Sequence, residues 1–126
     1  MGLFSRGPKL SHADKVRAKA EKAGVSVDGA VVVCHAFADN QDTYLLVFPD
    51  RVDIIRKRQI GTLLGGGNAG VESYPVPSIT SASVRQSGVW AYLTFTSSNV
   101  DVEFRGDVQT VPAAREAIMA AKVAAA

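Results

Sequence analysis

The chain has a single cysteine, Cys34, and only two histidines, His12 and His35. One thiol cannot close a disulfide within the chain, and without a C-x-x-C pair there is no start of a thiolate zinc site. A cytoplasmic, reducing compartment is the expectation that follows. Long apolar runs are also missing. None approaches the roughly 18–20 residues that cross a bilayer, and the first residues lack the apolar stretch of a secretion signal. The opening "MGLFSR" places Arg6 where a myristoylation pattern wants Ser or Thr, so no lipid anchor is expected there.

Charge is scarce as a net quantity, +2 over 126 residues, but it is unevenly placed. Residues 1–22 carry Arg6, Lys9, Lys15, Arg17, Lys19 and Lys22 against Asp14 and Glu21, so the rest of the chain is slightly acidic. A basic arm of this kind can meet a protein, an anionic membrane or nucleic acid. Its apolar positions are mostly alanine, a poor face for membrane insertion, and no nucleic-acid reading motif accompanies it. A protein partner is the better match for the candidate contacts Arg6, Lys9, Lys15, Arg17 and Lys19.

What is present is a change of period. "SHADKVRAKAEKAG" predicts a helix, with Ser11 as N-cap, Asp14 in the first turn and Gly24 as the stop. From residue 25 onward, "AVVVCHAF", "TYLLVF" and "RVDIIRK" are β-branched and aromatic runs separated by turn residues. "SITSASVR", "VWAYLTFT" and "VDVEFR" repeat the theme. In the last two of these six runs the sheet faces matter. Val89, Ala91, Leu93 and Phe95 are expected to share an inward face, with Trp90, Tyr92 and Thr94 on the other; Val100, Val102 and Phe104 are likewise expected inside. An alanine-rich segment from about residue 111 predicts a closing amphipathic helix, capped by Asp107 or Thr110 with Pro112 in its first turn. The sum is an α+β, mainly β chain: a bent antiparallel sheet or partly open barrel of about seven strands, closed by the C-terminal helix and preceded by another.

Two segments, "YLLVFPDRVDIIRKRQIGTLLGGG" and "ESYPVPSITSASVRQSGVWAYLTFTSSNVDVEFRG", followed by a terminal helix, resemble bacterial pleckstrin-homology-like domains. The resemblance rests on the Pro49-Asp50-Arg51 turn leading into Val52-Asp53-Ile54-Ile55, and on Tyr74-Pro75-Val76-Pro77-Ser78-Ile79 with Val84. It covers roughly residues 27–122 and implies a domain used for binding, without an enzyme's activity or a cofactor. Residues 1–24 are then a basic arm and helix, and 25–126 the domain itself. A non-enzymatic protein-binding or self-assembling module, of which an adaptor is one form, is the leading expectation. A peripheral binder of anionic lipid and a small structural component of a viral or other large assembly are the alternatives.

Several stretches invite chemistry. "GGGNAG", residues 65–70, spells the G-x-G-x-x-G of dinucleotide loops, yet that mechanism needs a helix N-terminus just after it. "VESYPVPS" follows instead, so a tip between two strands is expected, with Leu63 and Leu64 beside it as an exposed contact pair. Arg56, Lys57 and Arg58 form a candidate anion or lipid-headgroup site, although neighbours on a strand alternate faces and at most two can converge. Cys34 and His35, being adjacent, point to opposite faces and do not make a nucleophile and base. Trp90 and Tyr92 are a candidate protein-contact surface, or else the floor on which a helix packs.

Overall fold

The computed structural model describes residues 11–38, 41–58 and 68–125. Helix α1 (His12–Lys22) starts where the Ser11 hydroxyl takes the N–H of Asp14 at 3.1 Å. It stops at Gly24, whose φ of +87° is a left-handed conformation that glycine adopts without a Cβ clash. Strands β1 (Val32–Ala38), β2 (Gln41–Val47), β3 (Arg51–Arg58) and β4 (Asn68–Pro75) then form an antiparallel sheet in chain order. A short 3-10 turn, Val76–Ser78, swings the chain into a second antiparallel sheet of β5 (Ile79–Ser87), β6 (Trp90–Ser97) and β7 (Val100–Asp107). Helix α2 (Thr110–Ala125) closes the order. The protein is thus α+β and mainly β, with two sheets rather than a closed barrel.

Local chemistry sets the corners. Ser98 and Asn99 both take positive φ, 51° and 69°, the two-residue turn whose twist matches a tight β6–β7 hairpin. At the other end of β7, Asp107 accepts the backbone N–H of Gln109 and of Thr110 at 2.8 and 2.6 Å, satisfying donors that the start of α2 cannot pair within itself. Asp107 is therefore the cap, and Pro112 falls in the first turn as its sequence position implies.

The main core lies between the inner faces of the two sheets and α2. Cys34, Leu45, Val47, Val52 and Ile54 come from the first sheet, Ile79, Leu93, Phe95 and Phe104 from the second, and Val111, Ala114 and Ile118 from the helix. Val89 and Val100 correct the inward faces read from alternation, for they are 75% and 59% exposed. Both sit at hairpin turns, where the pattern continues but nothing remains opposite to cover it.

A second core lies on the opposite side of the first sheet. Val33, Tyr44, Leu46 and Phe48 pack there against Val16 and Ala20 of α1 and against Val25, Val27 and Ala30 of the following loop. This explains why "YLLV" in β2 is apolar without alternation: Tyr44, Leu45, Leu46 and Val47 are all at most 1% exposed, because the strand is covered on both faces. Helix α1 is accordingly a layer of the domain. Arg17 fastens it, donating to the carbonyls of Val27 at 3.0 Å and Ala30 at 2.6 Å.

Candidate interaction face on the second sheet

With α2 on its inner side, the second sheet leaves an outer face that neither helix covers. Register places its residues in rows across the three strands: Ser87, Trp90, Asp107; then Arg85, Tyr92, Arg105; then Ser83, Thr94, Glu103; then Ser81, Thr96, Asp101. The expected contact pair, Trp90 and Tyr92, stands in the first two rows, with Trp90 40% exposed. The reading of this face as a floor for a helix is not what the structure has.

Each aromatic ring carries an arginine. The Arg85 guanidinium carbon lies 4.3 Å from the centre of the Tyr92 ring, and that of Arg105 lies 4.3 Å from the centre of the Trp90 ring. Such stacking draws a cation to the negative face of the ring and holds the planar fork in place, at a gain of about 0.5–1 kcal/mol for exposed pairs. Among the described residues neither guanidinium has an ion-pair or hydrogen-bond partner, so the N–H donors of both remain unspent. Glu103 and Asp101 lie on the same face one and two rows further on; Asp101 accepts from Thr96 Oγ1 at 2.7 Å, and Glu103 is unpaired among the described residues. The face therefore runs from cationic and aromatic at one end to acidic at the other. Sequence reasoning found the rings but missed Arg85 and Arg105. The alternation of β7 placed Arg105 on a polar face, but only the strand register brings it beside Trp90.

The other expected positions are dispersed. Arg56 is bound to Glu72 Oε2 at 2.7 Å, and the Tyr74 hydroxyl donates to Glu72 Oε1 at 2.6 Å. The Tyr74 hydrogen bond holds the Glu72 carboxyl below its usual range against the opposing effect of burial, with Arg56 adding to it. Burial and Glu72 together push the Tyr74 phenol up to about 12. The Arg56 charge is thus matched within the sheet. Register sets Lys57 opposite Asp42 and Arg58 opposite Gln41, and the side chains of Lys57 and Arg58 lie outside the described residues. So do Arg6, Lys9, Leu63 and Leu64. Lys15 and Lys19 are exposed on α1, whereas Arg17 is spent on the two carbonyls it pins. Of the glycine fingerprint, Asn68, Ala69 and Gly70 open β4, so an antiparallel strand stands where a dinucleotide loop needs a helix.

Cys34 and His35 face opposite ways, as neighbours on a strand must. The Cys34 thiol is buried and donates to the Thr110 carbonyl at 3.4 Å; burial pushes it up to about 12, the Thr110 side chain opposes that rise, and Asp107 adds to it. His35 Nε2 lies 2.7 Å from Asp42 Oδ1, and its ring centre 5.0 Å from that of Tyr44. Among the described residues no three of His, Cys, Asp and Glu are grouped to hold a metal ion, and no helix there is long and apolar enough to cross a membrane. A cleft of about 510 Å³ opens between the first turns of α1 and α2, lined in part by His12, Asp14, Val31 and Thr110. Of its lining, the backbone N–H groups of Asp14, Gln109 and Thr110 are already taken by Ser11 and Asp107. No family model, curated protein or solved structure matches the chain.

Proposed function

We propose that the protein is a non-enzymatic binding module whose contact surface is the outer face of the second sheet. The observation that carries this reading is the pair of arginines stacked on Trp90 and Tyr92 with their donors unspent. Trp, Tyr and Arg are the residues that dominate protein contacts, because they bring large area and directed donors with little side-chain freedom to lose. Here that freedom is already restricted by stacking, so a partner meets a partly ordered surface. The seven strands and closing helix agree with the resemblance to pleckstrin-homology-like domains, in which binding is the common use. The Cys34 thiol is buried and hydrogen-bonded and points away from His35, so these two do not act as a nucleophile and base.

The experiment is photo-cross-linking in the cells that make the protein. A light-activated residue at Ser83, exposed on this face, is expected to give protein adducts that the same residue at Asp28, exposed beyond α1, does not. Equal yields from the two positions would remove the basis for assigning the contact to this sheet.

A further inference from the structure

We infer that the occupant of this face is an extended acidic segment of a partner protein, with carboxylates at alternate positions that meet Arg105 and Arg85. The inference rests on the binding reading above and gives the partner its chemistry. Its starting point is where the two guanidiniums stand. Arg85 comes from β5 and Arg105 from β7, yet each reaches inward over a ring of β6, Arg85 over Tyr92 and Arg105 over Trp90. Those rings belong to residues two apart on one strand, a separation of about 7 Å. A guanidinium stacks through its flat face and donates from its edge, so each can take a carboxylate without leaving its ring.

The spacing selects the shape of the ligand. Every second side chain of an extended segment shares a face and repeats at about 7 Å, the interval between the two rings. A segment laid along β6 with an acid, any residue and a second acid therefore sets one carboxylate on each fork. Adjacent acids point to opposite faces, so only one of them is presented. The order of charge on the sheet decides what comes next. Thr94 follows Tyr92 on this face of β6, and Glu103 stands beside it in the same row with no partner among the described residues. The next inward-facing position of the partner must then be basic or neutral. A uniform polyanion, such as a nucleic acid strand or an anionic membrane, would gain at Arg85 and Arg105 and be repelled at Glu103 and Asp101. Asp107 shares the row of Trp90, but its carboxylate is turned to the start of α2 and to His12.

The test is the binding of dye-labelled, end-blocked peptides to the full chain, followed by fluorescence anisotropy. The probe Ser-Glu-Thr-Glu-Thr-Lys-Ser, made in both chain directions, is compared with the isomer Ser-Glu-Glu-Thr-Thr-Lys-Ser, of the same composition and charge. The alternating peptide is expected to bind about fivefold or more tightly than the isomer, in whichever direction binds better. Exchanging its Lys for Glu is expected to weaken binding to wild type more than to Glu103→Gln. Arg85→Gln and Arg105→Gln are each expected to weaken the alternating peptide about fivefold or more, whereas Lys22→Gln, which removes an exposed charge on α1, leaves it unchanged. The comparison of peptides uses wild type alone, so it stands whether or not each variant folds. Equal affinity for the alternating peptide and its isomer, or unchanged binding in either arginine variant, overturns the inference. So does displacement of the peptide by oligothymidylate or by phosphatidylserine vesicles as well as by unlabelled peptide. If the peptides fail while position 83 still cross-links to other proteins, only the acidic chemistry of the partner fails. If the cross-links do not single out this face either, the binding reading fails with it.

Discussion

His12 Nε2 lies 3.4 Å from Asp107 Oδ2, so the first residue of α1 touches the carboxylate that caps α2. Burial raises the Asp107 pKa, but the Thr110 hydroxyl, the N–H groups of Thr110 and Gln109, and His12 outweigh it and hold the group below its ordinary 3.8. A carboxylate lowered in the folded state stabilises the fold above its unfolded value, and that stability is lost as pH falls through the folded one. Asp107→Ala is expected to cost about 1 kcal/mol near neutral pH, the usual worth of such a cap. Urea denaturation at about pH 7 and about pH 3 should show the gap between variant and wild type closing in acid. A gap that widened would mean that the carboxylate is not the group responsible.

Leu45 and Leu46 point to opposite sides of β2, and both are fully buried. Leu45→Ala opens space in the core shared with α2, and Leu46→Ala opens it in the core shared with α1. Each is expected to cost about 2–5 kcal/mol by denaturation. Near-neutral behaviour of Leu46→Ala would show that α1 does not seal its side of the sheet.

How much of this was legible follows from the same residues. Period-two alternation and turn chemistry are local, so the order of helices and strands could be read along the chain. The burial of both faces of β2 could not, for alternation loses its meaning in a run where every residue is apolar, and the alanine stripe of α1 does not say which surface it meets. The candidate site was half visible for a related reason. Trp90 and Tyr92 announce themselves by type, whereas Arg85 and Arg105 matter only because pairing brings three strands into one register. Arg56, chosen for its neighbours in sequence, is answered instead by Glu72, sixteen residues away.

Gly106 of β7 lies against Val111 of α2 with no room for a side chain. A Cβ built there would lie 2.8 Å from Val111 Cγ2 and 2.9 Å from the Phe104 ring, with the His35 carbonyl oxygen at 3.6 Å. Gly106→Ala is expected to destabilise by about 1–3 kcal/mol through overpacking. Val111→Ala removes one of the two obstructing atoms, so the double variant should be more stable than the sum of the single changes implies. Additive losses measured in a double-mutant cycle would place the strain elsewhere.

The Cys34 thiol offers a measure of how tightly the sheets close on α2. It is buried, donates to the Thr110 carbonyl, and is pushed up to about 12, so almost none of it is thiolate at neutral pH. Reaction with a disulfide reagent is expected to be negligible in the folded protein and complete in denaturant. The rate should follow global unfolding as denaturant is added. Fast labelling under native conditions would indicate that the start of α2 opens on its own.

The arginine–aromatic pairs separate stability from binding. Arg85 and Arg105 are not part of either core, and an exposed cation on a ring is worth about 0.5–1 kcal/mol, so Arg85→Ala and Arg105→Ala should each shift unfolding by no more than that. Trp90 is the single tryptophan, and Arg105 sits over its ring. Its emission therefore reports the surroundings of this ring: Arg105→Ala should change the spectrum of the folded protein, and Arg85→Ala, whose ring is Tyr92, should change it far less. Loss of the Ser83 cross-links in Arg105→Ala with stability retained would tie the surface to its partner through charge. A loss of several kcal/mol instead would make these arginines part of the fold, and the open face a consequence of stability rather than of recognition.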